Sequence, residues 1–94
     1  MKRSRHDFKK LAFLLAKAGA KKAAVFGSYA RGEANSRSDL DILVRFSTRK
    51  SLLDLVRLER ELSEHLGIKI DLLTEKSVSP YLLKTIKQEA MIIV

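Results

Sequence analysis

Apolar residues recur along this chain with two different periods. Phe8, Leu11, Ala12, Leu15 and Ala18 follow helical spacing, which predicts an amphipathic helix from about Arg5 to Ala20, with Gly19 and the Lys21-Lys22 pair suiting its end. Phe13, Lys10, Lys17 and Lys21 fall away from that stripe, so Phe13 is expected outside the core. Ala23 to Phe26 predicts a short strand, and Ser28 to Arg31 can begin a short helix. Glu33 to Ser38 reads as a loop in which Arg37 is only weakly placed. Leu40 to Phe46 alternates as a second strand.

A further helix is predicted to follow Ser51, whose cap is signalled by Asp54 three residues on. Leu52, Leu55, Leu58, Leu62 and Leu66 form its expected buried stripe, Arg57-Glu61 and Arg60-Glu64 its surface pairs, and Gly67 its stop. Ile68 to Thr74 predicts a third strand. Ser79 before Pro80 signals the start of a last helix carrying Leu82, Leu83, Ile86 and Ala90. The apolar tail Met91-Ile92-Ile93-Val94 is expected to add an edge strand or cover the sheet.

The 94 residues suit a single domain spanning 1–94. Without cysteine there are neither disulfides nor thiolate metal sites, and no apolar run is long enough to span a bilayer. Asp7, Lys9 and Lys10 interrupt any leader-like apolar stretch, so a cytoplasmic location is expected. The net charge of +8 is uneven: residues 1–22 hold eight Lys or Arg against one Asp, and the remainder eleven against ten acids. That basic segment could meet RNA, an acidic partner or the phosphates of a nucleotide. His65, one of only two histidines, is expected at the rim of a helix rather than on a metal.

The chemistry is concentrated in two stretches. Asp39 and Asp41 alternate with Leu40, Ile42 and Val44, so both carboxylates point to one face, with Cα atoms about 6.6 Å apart. That spacing lets both ligate one hard cation. Upstream, Phe26-Gly27-Ser28 closes the first strand with a glycine that lets backbone N–H groups approach an anion and a hydroxyl that adds a donor. Arg31 is the nearby cation, and Asp71 faces opposite Ile70 and Leu72 on the third strand. Taken singly, an alternating aspartate pair is an ordinary solvated sheet face and Gly-Ser an ordinary loop opening. Their combination is not ordinary.

Gly27-Ser28, ten residues, then Asp39-x-Asp41 resembles the signature of the polymerase-beta-like nucleotidyltransferases, and Gly-Ser-x-Ala-Arg-Gly resembles their minimal (MNT) branch most closely. The resemblance covers roughly Ala23 to Leu73. It implies the nucleotidyltransferase fold, an α/β (α+β) architecture with a small mixed sheet of three to four strands and helices packed on one side. It implies Asp39, Asp41 and Asp71 as catalytic, metal-holding carboxylates, with two Mg²⁺ ions, or Mn²⁺, as cofactors. It also implies Gly27, Ser28 and Arg31 as nucleotide-binding residues. The implied reaction moves a nucleoside monophosphate, AMP from ATP, onto a hydroxyl. Relatives of this kind act as antitoxins that modify a tyrosine of a HEPN toxin, so a hetero-oligomer with a HEPN-type protein is the implied partnership. Two other readings stand beside it: a non-catalytic module that neutralises a partner by covering it, and a basic RNA-binding domain working through residues 1–22.

Overall fold

The computed structural model describes residues 2–33 and 39–94, with side chains from Phe8 onward. The loop expected between Glu33 and Ser38, Arg37 included, and the side chains of Lys2, Arg3 and Arg5 therefore lie outside the described residues. In order, the elements are α1 (Lys2–Lys17), β1 (Ala20–Phe26), α2 (Ser28–Arg31), β2 (Leu40–Phe46), α3 (Leu52–Leu66), β3 (Ile70–Thr74), α4 (Pro80–Glu89) and β4 (Met91–Ile92). A single 3₁₀ turn over Glu75–Ser77 joins β3 to α4.

The strands form one sheet in the order β3-β2-β1-β4. β1 runs antiparallel to both β2 and β4, while β2 and β3 are parallel, as they must be when a helix such as α3 carries the chain back across the sheet. This is the mixed α/β sheet expected, at four strands. The tail does add an edge strand: Met91 and Ile92 pair with Val25 and Ala24, and Ile93 and Val94 pack on the main core.

That core is the face of the sheet covered by α1 and α3. Leu11 and Leu15 from α1 and Leu62 from α3 close over Val25, Leu40, Ile42, Val44, Ile70 and Leu72. Helix packing on one side holds for α1 and α3, but α4 lies across the opposite face, where Ile86 covers Phe26 and Leu43. Alternation explains it: Leu43 and Leu73 point away from Ile42 and Leu72, and apolar surface on the second face needs its own cover.

Several placements differ from those expected, the third strand, for one, starting at Ile70 rather than Ile68. α1 ends at Lys17 because Gly19 turns the chain at φ 98°, and Ala20 then pairs with Phe46. A bulge between Ala20 and Lys22 leaves Lys21 and Lys22 both exposed on the strand rather than ending a helix. Leu52 is 76% exposed and so lies outside the expected buried stripe. Phe13, at 65% exposed, lies outside the core as expected, with the Lys17 Nζ 6.0 Å from its ring centre. Among the described residues no helix is long and apolar enough to cross a membrane.

Candidate active site

Gly27 ends β1 with φ 75° and ψ −149°, a region that side-chain-bearing residues avoid. Its missing side chain also leaves room for a neighbour. A Cβ built on Gly27 would stand 2.5 Å from Oδ2 of Asp41, so the carboxylate occupies the space a side chain would need. Sequence reasoning reserved this glycine for approach to an anion. Its contact with Asp41 depends on β1 and β2 pairing Phe26 with Asp41, which no local pattern reveals.

After Gly27 the chain turns at once into α2, where the Arg31 amide donates to the Gly27 carbonyl at 3.1 Å and the Glu33 amide to the Ser28 carbonyl at 2.8 Å. Ser28 is the first residue of this short helix, so the glycine-serine pair sits where the strand gives way to the turn. Tyr29 points back to the body of the protein, its ring 6.3 Å from that of Phe8.

β2 and β3 place Asp41 directly opposite Asp71. Asp39 lies two residues before Asp41 and so shares its side of the strand. Burial, then the nearby charges of Asp71 and Asp39, hold the Asp41 carboxyl above its ordinary range, against a smaller opposing pull from Arg31. The charges of Asp39 and Asp71 thus both bear on Asp41, which is itself partly withdrawn from water.

The three carboxylates are not drawn into a finished cage: among the described residues no three acidic or histidine side chains form a preformed ligand cluster. Asp39 has a competing partner in Lys69, whose Nζ is 3.9 Å from Oδ2, on side chains that are both well exposed. Lys69 was not singled out from the sequence, although its place two residues before Asp71 puts it on the same face. Arg31 is bound twice, to Glu33 at 3.0 Å and to Glu89 at 3.1 Å, and so ties α2 to the end of α4. Glu89 was missed because the contact bridges 58 positions of sequence. His65 is exposed, as expected of a rim residue, and its carbonyl accepts from Lys10 at 3.4 Å.

The comparisons with known proteins cover nearly the whole chain. Residues 9–93 match the nucleotidyltransferase domain family. The chain belongs to that family. A candidate protein adenylyltransferase of Methanocaldococcus jannaschii is 52% identical over 83 residues, which are 88% of this chain and 89% of the relative. A solved structure of a candidate minimal nucleotidyltransferase superposes with a TM-score of 0.85 at 39% identity, covering 96% of this chain and 92% of its own. At 21% identity, a complex of a tri-AMPylated Shewanella oneidensis HEPN toxin with its MNT antitoxin shares the fold, with a TM-score of 0.77 over 96% of this chain and 71% of the other. The chain is a nucleotidyltransferase.

Proposed function

We propose that this nucleotidyltransferase, working as a single domain over residues 1–94, transfers AMP from ATP to a hydroxyl of a partner protein, a tyrosine of a HEPN-type toxin, and so acts as its antitoxin. Asp41, crowded between Asp71 and Asp39 with its charge incompletely offset, is the observation that carries the reading. Repulsion among three carboxylates has no structural use and is relieved by a bound cation. The donor set suits a hard divalent ion, Mg²⁺ or Mn²⁺, because every donor is a carboxylate oxygen. Asp39 can join the set because an exposed pair with Lys69 at 3.9 Å holds it weakly.

Asp39, Asp41 and Asp71 would hold up to two such ions, which supply charge stabilisation for the entering and leaving oxygens of an in-line displacement. The chain's own groups do the rest. Gly27 and Ser28 offer backbone N–H groups and a hydroxyl to the triphosphate, and Arg31 lends a positive field beside Asp41. Asp71 takes the proton of the attacking hydroxyl as its oxygen bonds to the α-phosphorus and pyrophosphate departs.

The AMPylated HEPN toxin of the structural neighbour supports a protein acceptor, and the relative's name supports adenylyl transfer onto protein. The test is incubation with labelled ATP, Mg²⁺ and the protein encoded beside this chain's gene. Label on a tyrosine of that protein, absent with Asp41→Asn, is the expected result. Label on neither that protein nor any other added acceptor would overturn the reading.

A further inference from the structure

Lys69 stands just before β3 and two residues ahead of Asp71, so its side chain shares the carboxylate side of the sheet. Its carbonyl accepts from the Leu40 amide at 2.9 Å, which carries the β2–β3 ladder one step beyond the Leu40–Ile70 pair. Lys69 is thereby set beside Asp39 much as Asp71 is set beside Asp41, and its Nζ lies 3.9 Å from Oδ2 of Asp39. Among the described residues this is the one ion pair that either Lys69 or Asp39 makes.

A pair of that length, between side chains that are 77% and 43% exposed, adds little to stability. Its place gives it another use. Two cations bear on the aspartates, and they are not equivalent. Arg31 acts on Asp41 through its charge while its guanidinium is held by Glu33 at 3.0 Å and Glu89 at 3.1 Å. Lys69 carries a point charge on a flexible stem, with Asp39 alone to hold it, and its ammonium is free to turn to a new acceptor once Asp39 takes a cation. Three carboxylates and a triphosphate together carry more negative charge than two divalent ions offset, so a loaded site still attracts a mobile cation.

We propose that Lys69 is a counter-ion that changes partner: it pairs with Asp39 in the ion-free chain, yields that carboxylate to an entering divalent ion, and then pairs with the phosphates of the bound triphosphate. Lys69 thus opposes the ion when the ion comes alone and favours the nucleotide when the two come together, so that ion and triphosphate are taken up jointly. This role rests on the ion-holding proposed for Asp39, Asp41 and Asp71, and on no particular acceptor.

The test is titration calorimetry on the full chain at fixed ionic strength, with Mn²⁺ alone and then with ATP at saturating Mg²⁺. Lys69→Met should bind Mn²⁺ alone about two- to fivefold more tightly than the wild type, the range of a freed surface pair, and should bind ATP about fivefold or more weakly. Lys69→Arg, which keeps the charge, should stay close to wild type in both. Lys21→Met removes the same charge at the end of β1 away from Gly27 and should move neither affinity. The opposite signs distinguish a change of partner from damage to the fold, which would lower both affinities. A Mn²⁺ affinity unchanged or lowered in Lys69→Met, an ATP affinity unchanged or raised, or equal effects from Lys21→Met would overturn the role of Lys69 and leave the proposed transfer standing. A wild type that binds neither Mn²⁺ nor ATP would overturn both. The expected opposite shifts, found in a chain that labels no acceptor, would overturn the transfer alone.

Discussion

Gly27 and Asp41 make one unit, because the strand end that brings the glycine to φ 75° also brings the carboxylate into the space its side chain lacks. Gly27→Ala is expected to cost about 1–3 kcal/mol from backbone strain alone and to push Asp41 from its place. Chemical denaturation would measure the first effect and loss of transfer the second. Ser28→Ala strains nothing, and if its hydroxyl meets phosphate as proposed, ATP affinity should fall by about 1.5–3 kcal/mol in calorimetry with the melting point unchanged. Asp41 links the site to pH. Its carboxyl is raised from 3.8 by burial and by its acidic neighbours, so the folded chain binds this proton more tightly than the unfolded one. Its contribution to stability is therefore greatest below that value and declines as pH climbs through the raised folded value. Asp41→Asn removes this decline, and the variant should melt at or above the wild type at neutral pH while losing transfer. A variant that melts well below wild type would make Asp41 a structural residue.

Among the elements, those set by local chemistry were legible in the sequence. The Ser51–Asp54 capping box and the Ser79-Pro80 start are both present, with Ser79 accepting from the Leu82 amide at 3.3 Å. β2 spans Leu40 to Phe46 as its alternation predicts. Periodicity marks a helix face but not which of its turns is covered, and Leu52, on the predicted stripe, is exposed. It was equally silent on how β3 protects its outer edge. α3 reaches over to supply the acceptors, Glu59 to the Leu72 amide at 2.7 Å and Ser63 to the Ile70 amide at 3.0 Å. An edge strand with its outward N–H groups already bonded cannot recruit another strand through them. Glu59→Ala should therefore destabilise the fold by about 1–3 kcal/mol for the stranded, part-buried amide. Faster exchange of the Leu72 amide, with those of β1 unchanged, would locate the damage. Uniform exchange across the sheet would refute the edge assignment.

Across the whole molecule, if the carboxylates hold a cation as proposed, the site trades stability for binding, and that exchange can be read as a melting temperature. Asp71 lies opposite Asp41 on the neighbouring strand and Asp39 two residues before it, and both charges press on the Asp41 carboxylate in the ion-free fold. With Mg²⁺ and ATP at a hundredfold excess over Kd, binding should add about 2.7 kcal/mol, a rise of order 10 °C or more for a domain of this size. Asp39→Asn and Asp41→Asn, melting at or above wild type without ligand, should lose most of that rise and all transfer. Asp71→Asn should behave differently: if the triphosphate and its ion are held mainly by the first two aspartates, much of the rise should survive while transfer is lost for want of the proton acceptor. The three variants thus separate holding the nucleotide from acting on it. If wild type showed no Mg²⁺-dependent rise and all three variants melted well below it, the aspartates would be structural. The repulsion they impose on the fold would then have no function to account for it.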